Sequence, residues 1–350
     1  MQSLHIFYII DKMKTRILLL LAAFFGFIGL FGWVSPVSAQ AMDKVGMHVL
    51  HPQEFTKVAQ LYGEVRNDKD DPIYVTIPFS LSDIDKLSQW QAAFNIAKSE
   101  NIVPLVRLST KMNAEAGGWE RPSRHDIVQL SQALNHLKWP QSKRHVIIFN
   151  EPNHAGEWGG EIDAESFAEM TEFTLDWLKT EDKNYVLLPA ALDLAAANTA
   201  TTQEAFGYWR RALAHRPEII NKIDAWNSHS YPNPGFMSSP TRNGQNSMRG
   251  YQTELAFIKN YTDKQLPVFI TETGWLDRFS AYRLQANYDY ALKNIWSDER
   301  VVAVTPFVLA GAPGPFAEFS FVNENGEPTR HWSALADSLR KYQQQLITKR

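Results

Sequence analysis

From Val45 onward the chain alternates short, continuously apolar, β-branched runs with longer amphipathic stretches, and no other feature restricts its fold as strongly. The runs are 45–50 (VGMHVL), 73–80 (IYVTIPFS), 102–109 (IVPLVRLS), 145–152 (HVIIFNEP), 185–192 (YVLLPAAL), 223–231 (IDAWNSHSY), 267–275 (PVFITETGW) and 301–309 (VVAVTPFVL). A half-exposed strand would alternate apolar with polar residues. These runs do not, so they read as strands covered on both faces, as in a parallel sheet wrapped by helices. Helical text fills the intervals, for example LSQWQAAFNIAKSE after the second run and RLQANYDYALKNIW after the seventh. Ser82 with Asp85, Ser123 with Asp126 and Thr201 with Glu204 have capping-box spacing and are expected to open helices. Eight strand–helix steps in about 300 residues match the count and length of a single (β/α)8 (TIM) barrel of the α/β class. A doubly wound open sheet would want a Gly-rich turn after its first strand, and none is present.

The fold-like text begins only after Met42. Before it, a basic stretch (Lys12–Arg16) precedes unbroken apolar character from Ile17 to Val34, then Ser35-Pro36-Val37-Ser38-Ala39 with small residues where a signal peptidase cuts. Residues 1–39 therefore read as an export signal, with Met13 a candidate start, or as an uncleaved membrane anchor, since eighteen apolar residues approach the minimum for a span. Either way residues 43–350 form the folded domain, expected outside the cytoplasm. The 350-residue chain has no cysteine, which removes disulfides, thiolate metal sites and a cysteine nucleophile. Its net charge of −3, with both signs interspersed, gives no basic footprint for nucleic acid.

In a barrel of this kind the site is built at the C-terminal ends of the strands, so polar residues there carry the most information. The fourth run ends in Asn150-Glu151-Pro152 and the seventh in Glu272-Thr273-Gly274-Trp275. Two carboxylates thus cap two apolar strands three apart around the ring and face each other across its mouth. Cleavage of a glycosidic bond with retention needs such a pair, one acid to protonate the leaving oxygen and one carboxylate to attack the anomeric carbon, about 5–5.5 Å apart. Near the pair fall His229 and Tyr231 on the sixth run, Arg107 on the third, and Trp275. A tyrosine hydroxyl can hold a nucleophile ionised, His229 can bind a sugar hydroxyl or the acid, and Arg107 can lower the pKa of Glu272. Trp275 is expected to stack on a sugar ring. Trp119 and Trp158, in loops after the third and fourth strands, could line a glycan groove. His48, His51, His154 and His229 have no metal-ligand spacing on a helix, so no metal and no cofactor is expected.

The N-E-P and E-T-G-W elements, with the H-x-Y of His229 and Tyr231, resemble the clan of barrel glycoside hydrolases that includes the family 5 cellulases and mannanases and the family 39 xylosidases. The resemblance implies retaining hydrolysis of a β-linked glycan, with Glu151 as acid/base, Glu272 as nucleophile, and Asn150 donating to the sugar 2-hydroxyl. Two departures stand out. The clan commonly has an arginine at the end of strand two, where this chain has Thr76-Ile77-Pro78-Phe79-Ser80, and often a tryptophan at the end of strand eight, where Phe307 stands. Two other readings fit the same text: a silent polysaccharide-binding barrel, and a transglycosylase using the same residues.

Overall fold

The computed structural model describes residues 41–113 and 117–347, and the export segment expected at 1–39 lies outside them. Eight parallel strands make the wall: β1 (Met47–His48), β2 (Ile73–Phe79), β3 (Ile102–Leu108), β4 (Arg144–Ile148), β5 (Tyr185–Pro189), β6 (Trp226–His229), β7 (Val268–Glu272) and β8 (Val301–Val304). Each is followed by its helix: α1 (Phe55–Gly63), α2 (Leu87–Ser99), α3 (Arg124–His136), α4 (Ala164–Glu181), α5 (Ala205–His215), α6 (Gly250–Ile258), α7 (Ala281–Asn294) and α8 (Arg330–Ile347). Pairing runs β1-β2-β3-β4-β5 in one sheet and β8-β7-β6 in another. Parallel bridges from Val45 to Val304 and from Asp193 to His229 join the two sheets at both seams. At the first seam Gly46 N donates to Val304 O at 2.8 Å and His48 N to Pro306 O at 3.0 Å. The wall closes on itself, as the eightfold pattern requires.

Alternation along the strands sorts the core into two parts. A large cluster, including Ile102 and Val106 of β3, lies between strands and helices. A small one of Leu105, Ile147, Leu188, Ala225, Phe269 and Ala303 comes from alternate positions on the same wall and fills the barrel interior. Two residues beyond Leu105 on the same face stands Arg107, and two beyond Asn227 stands His229, so the interior periodicity delivers both to the mouth.

The caps differ in part from expectation. Ser123 and Asp126 do form a capping box at α3. After β2, however, the box is Ser80 with Asp83, because the backbone leaves its extended conformation at Ser80, two residues earlier than the sequence spacing suggested. At α5, Glu204 is itself the cap and accepts from Phe206 N and Gly207 N, so Thr201 does not cap the helix. Among the described residues no helix is long and apolar enough to cross a membrane.

Candidate active site

Both carboxylates leave the wall through unusual backbone. At the end of β4, Phe149 and Glu151 have φ of 71° and 29°, a region costly for residues with a Cβ. The turn is held from outside: Glu151 N donates to Ala191 O at 3.0 Å, and the Phe149 ring packs edge-on against Trp158 at 5.2 Å. It swings Glu151 out of the strand's alternation and over the mouth. Glu272 is the last residue of β7, and two residues later Gly274 has φ of 139°. That φ favours glycine at the turn, and a Cβ there would also sit tightly against Phe307 O at 3.3 Å.

The nucleophile candidate is tightly held. Arg107 Nη1 donates to Glu272 Oε1 at 2.5 Å and to Asn150 Oδ1 at 2.7 Å. Tyr231 Oη donates to Glu272 Oε2 at 3.1 Å, and His48 Nε2 lies 3.4 Å from Oε1. His229 Nδ1 is 2.7 Å from Glu151 Oε1 and 3.8 Å from Glu272 Oε2, so one imidazole spans the pair. Oxygen atoms of Glu151 and Glu272, with a nitrogen of His229, all fall within 4.8 Å of one another. A metal ion could bind these three donors only by displacing the hydrogen bonds they already make to each other and to Arg107.

Burial alone would raise the Glu272 carboxyl. The charge of His229, the close approach of His48 and the Arg107 guanidinium overcome that and hold it well below the usual carboxylate range. His229 is raised, because Glu272 and the bond to Glu151 outweigh its burial. His48 is pushed down to about 4 by burial and is neutral at pH 7. Burial and the neighbouring Glu272 lift Tyr231 far above its ordinary value, so it stays a donor. The result is an ionised carboxylate fixed beside a second carboxyl that rests on a histidine.

Several expected contributors occupy other places. Trp275 does not line the mouth: it is fully buried, bonds Ser238 O through Nε1 at 3.0 Å and packs edge-on against Tyr288, because Gly274 turns the chain back into the strand–helix layer. Trp158 is likewise core, with Nε1 donating to Ser166 Oγ. Trp119 is half-buried at the mouth beside Glu151. Arg107 reaches Glu272 from β3, so the arginine missing from β2 is supplied one strand over. Phe307 stands edge-on to His48, Phe316 and Phe319, in a cluster that also holds Tyr231 and Phe236.

Three acids were missed. Glu157, on the turn after Glu151, hydrogen-bonds Asn150 and is lifted to about 7 by burial and by the charge of Glu151. Asp193 Oδ2 pairs with His154 Nε2 at 2.9 Å, and its main chain is locked to Asn153 in both directions. Nothing in the local text separates either from an ordinary loop acid. Glu254 of α6 is fully buried behind β6, where Ser228 Oγ donates to it and in turn meets Ser230 Oγ at 2.8 Å. Burial lifts it to about 7 against Ser228 and His229.

A buried acid raised from 4.5 to about 7 favours the folded state below pH 4.5, and that advantage is lost as pH rises toward 7. Thermal unfolding should therefore show Glu254→Gln gaining on the wild type between pH 5 and 8, by on the order of 3 kcal/mol at full ionisation. A gap that does not change with pH would mean that Glu254 shares its charge with an unseen partner.

No protein-family model matches the sequence, and no curated protein matches it. Solved structures do. A monomeric β-xylosidase from Caulobacter crescentus superposes with a TM-score of 0.60 at 14% identity, over 85% of this chain and 68% of that one. GH5_18 from Streptomyces cattleya gives 0.56 at 14%, over 86% and 80%. A GH128 oligosaccharide-binding protein from Trichoderma gamsii gives 0.50 at 14%, over 86% and 97%. The shared feature is the (β/α)8 barrel. Since the same barrel carries both cleavage and simple binding, function has to be decided by the side chains at its mouth.

Proposed function

We propose that the chain is a retaining glycoside hydrolase acting on a β-linked oligo- or polysaccharide, with Glu272 as nucleophile and Glu151 as general acid/base. The observation that carries this reading is the approach of the two carboxyl groups to within 4.8 Å, with Glu272 held strongly ionised. Inverting enzymes need about 6.5–9.5 Å to seat a water between their carboxyls, whereas retaining ones use about 5–5.5 Å. Glu272 attacks the anomeric carbon as the glycosidic C–O bond breaks, and Glu151 gives its proton to the departing oxygen. Water then displaces Glu272 while Glu151 recovers a proton from it. His229 stays hydrogen-bonded to Glu151 through both steps, whichever of the two holds the proton.

A silent binding barrel gains nothing from a nearly buried carboxylate held ionised by an arginine, a tyrosine and two histidines. That arrangement favours catalysis over binding alone. We also read residues 1–39 as the export signal or anchor that places the domain outside the cytoplasm. An alkaline phosphatase fusion at residue 42, active in the periplasm or medium of a bacterial host, tests that; an inactive fusion counts against it.

The division of labour is tested at Glu151. Glu151→Ala should slow substrates with poor, sugar-like leaving groups by about 10²–10⁴-fold. Activated aryl glycosides, which leave without a proton, should lose far less from their first step. Azide should restore turnover and release a glycosyl azide of unchanged anomeric configuration. Equal loss on both substrate classes, with no azide product, would remove Glu151 from the acid/base role.

A further inference from the structure

A cleft of about 330 Å3 opens beside Glu151, lined by Met112, Trp119, His154, Glu157 and Thr202 among others. None of Arg107, His48 and Tyr231, which hold Glu272, borders it. It therefore belongs to the half of the site from which a leaving group departs, and its size is at the lower end for small-ligand clefts.

Its walls are fixed in advance. Trp119 sits on a short antiparallel strand pair (Met112–Asn113 with Gly118–Trp119) whose Gly118 lies so close to the turn after Glu151 that a Cβ would come within 2.0 Å of Gly156 O. Gly159 N donates to Trp119 O at 2.9 Å, tying the same turn to the aromatic residue. His154 is anchored through Nε2 on Asp193 Oδ2, which leaves Nδ1, unbonded among the described residues, to meet a sugar hydroxyl. Glu157 supplies a second polar contact from the opposite end of the same turn.

We propose that this cleft is a leaving-group subsite for an uncharged sugar ring, selected by Trp119, His154 and Glu157. The inference rests on the retaining reading above and adds to it the chemistry of the second sugar. The indole offers a flat apolar face to the C–H side of a ring, and the imidazole and carboxyl offer directional partners to its hydroxyls. Two carboxyl groups, Glu151 and Glu157, line the cleft against one basic side chain, His154, so a ring bearing its own carboxylate is disfavoured. In the reverse sense the subsite binds an acceptor. The acceptor oxygen attacks the anomeric carbon, the bond to Glu272 Oε breaks, and Glu151 takes the acceptor's hydroxyl proton.

The test separates this subsite from the catalytic reading. A panel of 2,4-dinitrophenyl 2-deoxy-2-fluoro-β-glycosides (gluco, xylo, galacto, manno) is used to trap the enzyme, with intact mass reporting one sugar per chain and peptide mapping reporting the residue. The trapped enzyme is then reactivated in water, or with methyl β-glucoside, methyl β-xyloside or methyl β-glucuronide. The neutral glycosides should speed reactivation saturably, and the glucuronide should do so at least about 10-fold less. In Trp119→Ala, Trp119→Phe and His154→Gln, each first shown by mass to trap fully, the ratio of acceptor-driven to water-driven reactivation should fall, by about 10-fold for the alanine and glutamine variants, with Trp119→Phe between. A trap that never forms on Glu272 overturns the catalytic reading itself. A trap that forms but reactivates at one rate with every acceptor, or with the same acceptor ratio in all variants, overturns the subsite alone.

Discussion

Glu272→Ala is expected to lower turnover of every substrate, activated aryl glycosides included, by on the order of 10⁴–10⁶-fold, the scale seen when a covalent nucleophile is removed. The size of the loss follows from what surrounds the residue. Arg107, Tyr231, His48 and His229 are all aimed at one carboxylate, and none of them brings a second anion to attack carbon in its place. Deleting the carboxylate leaves a small space lined by donors, which suits an added anion. Azide should therefore enter from the Glu272 side and give a glycosyl azide of inverted configuration. The Glu151→Ala variant, attacked by azide after the glycosyl-enzyme has formed, gives the retained anomer. The two products are distinguished by proton NMR of the anomeric coupling. Retention of a tenth of wild-type activity by Glu272→Ala, or a retained azide product from it, would reverse or end the assignment.

How much of this was readable from the chain depends on which level of order wrote the signal. The barrel was legible because eight strands covered on both faces leave eight continuous apolar runs, and their order fixes which ends come together. Glu151 and Glu272 were legible for the same reason, as each directly terminates such a run. Arg107 and His229 were also within reach, since strand alternation places them on the interior face above Leu105 and Asn227. Trp275 misled because residues past the strand end no longer follow that alternation. Gly274 redirects the chain, and the indole turns into the layer beneath α7. Glu157 and Asp193 were invisible for a different reason. Their surroundings draw on segments far apart in sequence: Arg107 on β3 for one, His154 and Asn153 for the other. No local spacing encodes such a meeting, and the same holds for Glu254 behind β6.

Arg107→Met is expected to show its damage as a change in pH dependence as well as a loss of rate. In the wild type, Glu272 has a depressed pKa, so its ion pair contributes stability above the ordinary carboxylate value, and this is lost as pH falls through the depressed one. Without the guanidinium the burial of Glu272 is opposed only by His229, His48 and Tyr231, so its pKa rises. At neutral pH the variant is left with a poorly compensated, nearly buried carboxylate, a situation that costs about 3–5 kcal/mol when one partner of a buried pair is removed. Acidification protonates Glu272 and relieves that cost, so the stability difference between the two proteins should narrow as pH falls. The acid limb of kcat/KM, which reports the free enzyme, should move upward by the same cause. Asn150 also loses the donor to its Oδ1, so the amide beside Glu151 is freed and turnover drops further, by about 10²–10³-fold in all. Arg107→Lys preserves the charge but not the planar guanidinium that sets Nη1 between Asn150 Oδ1 and Glu272 Oε1, and should fall between the two. Thermal unfolding and kcat/KM from pH 4 to 8 measure both effects. Parallel stability curves together with an unmoved acid limb would show that Arg107 packs against Glu272 without controlling its charge.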